Sequence, residues 1–276
     1  MNSFRMKALS LAVLSLAGLG MAGSAFAVCP TADQTKGVLH SPGGGGAWTS
    51  QFIASDATLS IVAPGLNATG CALQVSVGTI SASRAFVEDD SPQNEQRYRG
   101  RFYVGIPNIP TFGGVSNQTG VVFVIQDATS PAQFSSNQLV VRLAGGATPT
   151  VRFFVADGNA ASGARAITVP VPASASKSYR IEFDLQIGTA ATSGLACTTM
   201  PASGGCLRWW VDDAAAASGS DSAPLGSATI NNSGWSGADK VFLGLQTTTS
   251  PFRVANHDLT IQLDEFDSRR QTFIGK

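Results

Sequence analysis

The chain has 276 residues, with 18 Lys and Arg balanced by 18 Asp and Glu and with 43% hydrophobic residues, enough to bury a sizeable core. So even a balance excludes the concentrated basic field that phosphate binding needs, and no nucleic-acid partner is expected. Two histidines and four cysteines without C-x-x-C spacing argue against a structural zinc site.

The first element is a leader. Arg5 and Lys7 precede the small apolar stretch Ala8 to Leu19, and Ala25-Phe26-Ala27 is a small-x-small cleavage signal. Residues 1–27 therefore read as a secretory signal peptide cut before Val28. What remains, residues 28–276, carries 16 basic and 18 acidic residues, a net charge of −2, and shows no linker or repeat, so a single domain is expected. The protein is expected to be secreted or periplasmic, without membrane insertion after cleavage. In that oxidising compartment Cys29, Cys71, Cys197 and Cys206 should form disulfides. Cys197 and Cys206 share one Gly/Ser/Thr-rich loop and are expected to pair, leaving Cys29 with Cys71.

Beyond the glycine-rich stretch after His40, runs rich in Val, Ile, Phe and Thr alternate with Gly, Pro, Asn and Ser clusters. In chain order the expected strands are Thr58–Val62, Ala72–Val77, Gln96–Val104, Gly120–Gln126, Gln138–Leu143, Thr150–Val155, Arg165–Val171, Ser178–Ile187, Leu207–Val211, Lys240–Thr247 and Asp258–Phe266. No amphipathic helix of useful length interrupts them; the Ala run within Asp213–Ala217 is too short to stand alone. Regular strands without helices predict an all-β fold, a two-sheet antiparallel β-sandwich of the jelly-roll type.

Alternation assigns faces. Tyr98, Phe102 and Val104 oppose Arg99, Arg101 and Tyr103; Val151, Phe153 and Val155 oppose Arg152 and Phe154. Ile181, Phe183, Leu185 and Ile187 oppose Arg180, Glu182, Asp184 and Gln186; Leu207, Trp209 and Val211 oppose Arg208 and Trp210. The apolar set forms the core, and a one-residue slip would bury Glu182 and Asp184 there, which pins the register.

The order of elements from YRIEFDLQIG through WWVDD and VFLGLQTT to LTIQLDEFDSRR resembles laminin-G-like domains of the concanavalin A-like lectin/glucanase superfamily. Val211-Asp212-Asp213 and Leu263-Asp264-Glu265-Phe266 stand where that group has its turn and final acidic strand. The resemblance implies two packed antiparallel sheets, one of them concave and often ligand-binding. Glucanases of the same superfamily carry a catalytic E-x-D-x-E strand. Glu182 and Asp184 match its first two acids, but Gln186 stands at the third, so the proton donor of a retaining mechanism is missing.

Two arrangements suit these residues. With Arg99, Arg101, Arg142, Arg152 and Arg208 all outward, Glu182 and Asp184 are expected in a solvated charge ladder. The functional alternative is a ligand face of Trp210, Arg208, Glu182, Asp184, Gln186, Arg152 and Tyr103, an aromatic platform among bidentate polar groups that suits a sugar. Glu88, Asp89 and Asp90 form the densest acidic cluster; as loop oxygens they would suit Ca²⁺, although a solvated turn is the default expectation and no cofactor is otherwise implied. The functional expectation is a secreted, non-catalytic binding or surface-interaction module with an extracellular or cell-surface polysaccharide as partner. A polysaccharide-acting hydrolase or lyase and a structural envelope protein are the alternatives.

Overall fold

In the computed structural model of the chain, the described residues are 39–40, 48–66, 71–90, 92–105, 119–127, 137–145, 149–172, 178–189, 194–197, 199–201, 203–214, 223–255 and 259–269. The expected signal peptide, Cys29 and His257 lie outside them.

The chain forms, in order, β1 (Leu39–His40), β2 (Ser50–Ala54), β3 (Thr58–Val62), β4 (Ala72–Val77), β5 (Arg84–Asp89), β6 (Arg97–Gly105), β7 (Thr119–Gln126) and β8 (Asn137–Ala144). There follow β9 (Thr150–Ala156), β10 (Ala164–Pro170), β11 (Ser178–Gln186), β12 (Gly205–Asp213), β13 (Gly226–Ile230), β14 (Lys240–Thr248), α1 (Ser250–Ala255) and β15 (Leu259–Arg269). All eleven expected strands are present, two with the expected ends and the rest within three residues of them. Five elements with weaker patterns add to them: the two-residue β1, β2 and β5, the short β13, and the single helical turn α1. No described helix is long and apolar enough to cross a membrane.

The strands build two antiparallel sheets, ordered β1-β2-β5-β14-β7-β8-β9-β10 and β13-β12-β11-β6-β15-β4-β3. They pack as a jelly-roll sandwich. Val122, Phe123, Ile125, Leu139, Val141, Val151, Phe153 and Leu243 of the first sheet meet Tyr98, Phe102, Ile181, Phe183, Leu185, Leu207 and Ile261 of the second. Each such side chain contributes about 1.5–3 kcal/mol when buried. The aromatic pairs bridge the layers, with Phe123 5.0 Å from Phe183 and 5.6 Å from Phe102. Gly100 lies directly opposite Phe183, and a Cβ there would sit 2.6 Å from the ring, so the glycine gives Phe183 its place in the core.

The core faces follow the alternation strand by strand. Trp209 packs against the core beside Phe153, and Trp210 points away from it. Cys197 and Cys206 form the expected disulfide. Cys71 is disulfide-bonded as well.

Candidate functional site

The middle of the seven-stranded sheet is β12-β11-β6-β15, and the register there decides what each polar side chain meets. Glu182 is opposed by Trp210 on β12 and Arg101 on β6; Asp184 is opposed by Arg208 and Arg99. Arg180 faces Asp212 and Tyr103, and Gln186 faces Cys206 and Arg97.

The solvated ladder expected from alternation is not what forms. Glu182 and Asp184 are fully buried, although they lie on the side away from the core. So are Arg99, Arg180, Tyr103 and Trp210, each at most 2% exposed. The physical reason is position: β11 is an inner strand, and long side chains from both neighbours fold over it. Arg97 grips Asp184 with both prongs at 2.9 and 2.8 Å, and Arg208 reaches the same carboxylate at 2.8 Å. Arg99 donates to Glu182 at 2.6 Å and lies 3.7 Å from Asp184. Arg180 lies 3.8 Å from Glu182 and pairs with Asp212.

Trp210 is no open platform. Arg99 stacks over its ring at 4.5 Å and Arg208 lies at 5.5 Å. The cation–π contacts and ion pairs make one lattice. Burial lowers the Arg99 pKa against the opposing pull of Glu182, whereas the Asp184 hydrogen bond raises that of Arg97. Tyr103 sits between Arg180 on β11 and Asp264 on β15, with the Arg101 guanidinium 5.3 Å from its ring centre. Burial pushes its hydroxyl above the ordinary tyrosine value, so at neutral pH it keeps its proton.

Six of the seven expected ligand residues thus share one face: Trp210, Arg208, Glu182, Asp184, Gln186 and Tyr103. The seventh does not. Arg152 is on β9 of the other sheet, beside Arg142, and alternation, which gives a side but not a sheet, had grouped it with the rest. Glu88 and Asp89 are adjacent residues of β5, so they point to opposite faces, and Lys240 takes Glu88 at 2.8 Å. Among the described residues no three His, Cys, Asp or Glu side chains are arranged to hold a metal ion.

At the Gln186 end the lattice opens into a cleft of about 1030 Å³. Asn94, Glu95, Gln96 and Arg97 line one side, Gln186, Ile187, Gly188 and Thr189 the floor, and Met200, Pro201, Ser203 and Gly204 the far wall. That wall belongs to the loop closed by Cys197 and Cys206, and Gln186 donates to the Pro201 carbonyl at 2.8 Å. Gly188 and Gly204 touch backbone to backbone: a Cβ on Gly188 would lie 2.5 Å from Gly204. Of these residues the expected ligand face included only Gln186, because most of the others sit in loops; the close cysteine pair after β11 was the one signal pointing there.

No family model and no curated protein matches this sequence. Among solved structures, an endo-β-1,4-glucuronan lyase from the fungus Trichoderma reesei aligns with a TM-score of 0.50 at 12% identity, over 88% of this chain and 96% of that one. A PL-14 alginate lyase from Aplysia kurodai aligns at 0.46 and 12% identity, over 77% and 87%. The cellulose-induced protein Cip1 aligns at 0.45 and 12% identity, over 79% and 87%. At such identities the likeness is one of fold: this chain shares the two-sheet antiparallel jelly-roll architecture.

Proposed function

We propose that the protein is a non-catalytic glycan-binding module whose ligand lies in the cleft beside the arginine–carboxylate lattice. The observation that carries this reading is the engagement of Glu182 and Asp184. Each is buried and shared among arginines, so neither is open to a substrate for acid–base work, and Gln186 next to them carries no carboxyl. A glycosidase needs two carboxyls free for that work. The cleft instead offers the amides of Asn94, Gln96 and Gln186, the hydroxyls of Thr189 and Ser203, and the apolar surfaces of Ile187, Met200 and Pro201. Amides and hydroxyls pair with sugar hydroxyls, and the apolar patches suit C–H faces of the ring.

A lyase is the second reading, favoured by Tyr103. Eliminating across a uronate needs its carboxylate neutralised, a proton removed beside it, and a proton delivered to the leaving oxygen. Tyr103 holds a proton at neutral pH and has Arg101 and Arg180 beside it, but it is 1% exposed, so a uronate reaches it only if the side chains over it move aside. The fold-level neighbour that acts on glucuronan supports keeping this reading in the test.

A glycan array with and without Ca²⁺, run beside an assay for reducing ends and for the ultraviolet absorbance of unsaturated sugars, decides between them. The module reading expects binding without turnover, and loss of binding in Ser203→Trp, which fills the cleft without touching the lattice. Product release abolished by Tyr103→Phe would replace it with the lyase. Binding that ignores Ser203→Trp would move the site elsewhere.

A further inference from the structure

The outer face of the eight-stranded sheet is built unlike its counterpart. Phe86, Val121, Val124, Val140 and Phe242 form an apolar stripe there, flanked by Phe52 and Phe154. Into this stripe β8 and β9 place Arg142 and Arg152 directly opposite each other. Like charges facing across a ladder destabilise it. Around the pair the face carries Val121 on β7, Val140 and Ala144 on β8, Thr150 and Phe154 on β9, and Ala166, Thr168 and Pro170 on β10, all uncharged; the carboxylate of Glu88 lies on β5, across β7 and β14, and is taken by Lys240. Neither arginine has a carboxylate partner among the described residues.

Three polar atoms here are buried without a hydrogen-bond partner: Arg142 Nε, Arg152 Nε and Thr150 Oγ1. Thr150 is two residues from Arg152 on the same strand face, which sets its hydroxyl next to the facing arginine pair. The Arg142 guanidinium lies 4.4 Å over the Phe154 ring, which fixes it in place. Burial and the Arg152 charge together lower the Arg142 pKa, the mark of a cation short of an anion. Both arginines remain partly exposed, so a solute can reach them.

We propose that Arg142, Arg152 and Thr150 form a carboxylate-binding site for an acidic sugar, on the sheet opposite the cleft. Two guanidinium forks match the two oxygens of a carboxylate, the Thr150 hydroxyl supplies a further donor, and Phe154 with Val140 offers an apolar rim for the ring. That the carboxylate comes from a sugar rests on the glycan reading above; the anion site itself does not.

The test is titration of the protein with sodium glucuronate at constant ionic strength, following the arginine Nε–H resonances and the thermal midpoint. A saturable shift of the Arg142 and Arg152 resonances is expected, with a rise in midpoint that sodium chloride does not reproduce. Arg142→Gln and Arg152→Gln should each weaken binding about tenfold or more. Thr150→Val, which keeps the strand shape, should weaken it less. No saturable shift, an equal response to chloride, or binding unchanged in both arginine variants would overturn the site. Sulfate binding tighter than glucuronate would overturn the carboxylate assignment, and a glutamate-rich peptide displacing oligoglucuronate would overturn the sugar. A negative glycan array with intact glucuronate binding would remove the cleft reading and leave this site standing.

Discussion

On the seven-stranded sheet Arg97, Arg99, Arg180 and Arg208 each reach a carboxylate; on the eight-stranded sheet Arg142 and Arg152 face each other among Val and Phe side chains. The same residue type occupies the same kind of place, an outward position on an inner strand. The difference lies in two residues of β11. Glu182 and Asp184 supply the charge that arginines of three strands gather around, whereas among the described residues no carboxylate of the other sheet pairs with Arg142 or Arg152. A buried guanidinium is stabilising or costly according to whether its anion is part of the chain.

The largest expected effect lies in the lattice. Asp184→Ala strips the partner from Arg97 and Arg208 together and should cost about 3–5 kcal/mol, read as a lower denaturation midpoint in urea. Replacing both Arg99 and Glu182 by Met should cost less than Glu182→Ala alone, because no charge is then left without its partner at that pair. A double variant as damaged as the single one would break the account of the lattice. Next comes the apolar stripe: Phe242→Ala should cost about 3 kcal/mol, near the lower end for core phenylalanines, with no dependence on salt. The sharpest contrast is one of sign. Arg99→Met should destabilise, whereas Arg152→Met removes a like-charge opposition and should stabilise by up to about 1 kcal/mol. Equal losses in the two would dissolve the difference between the faces.

The smallest effect is at the rim. The Lys240–Glu88 pair is partly exposed, with Lys240 43% and Glu88 20% accessible, so it contributes roughly 0.2–1 kcal/mol. The hydrogen bond to Glu88 raises the Lys240 pKa. A raised folded value means the contribution is fully present below the ordinary lysine value, about 10.4, and is lost as pH rises through the higher folded one. Lys240→Met should therefore flatten stability against pH in that alkaline window, and it should respond to added salt where Asp184→Ala does not.

Alternation with period two made the strands and their faces legible, because a sheet buried on one side imposes that pattern on every residue. It could not reveal depth. Glu182 and Trp210 were correctly turned from the core, yet both are buried, since what roofs them comes from β6 and β12, distant in sequence. Nor does alternation say which sheet a strand joins, and Arg152 was grouped with the wrong neighbours for that reason. Strands β2 and β13 escaped notice because five residues with Ser, Gln, Gly or Ala among them carry too little pattern. The cleft escaped because its walls are loops, whose meeting depends on backbone contacts such as Gly188 against Gly204.

One further consequence comes from strand order. β15 lies between β4 and β6, pairing Ile261 with Val75 on one side and Leu263 with Val104 on the other. The last described strand, made after every other strand of its sheet, is thus a keystone near the middle of that sheet. Until residues 259–269 have left the ribosome, the β3–β4 hairpin and the β6–β11–β12–β13 block have no shared edge. The seven-stranded layer cannot close progressively during synthesis; its two halves must wait, with unpaired edges, for a single late insertion. Quality control acting on the nascent chain would therefore meet two separate partial sheets, and a chain stopped short of Leu259 would stay divided.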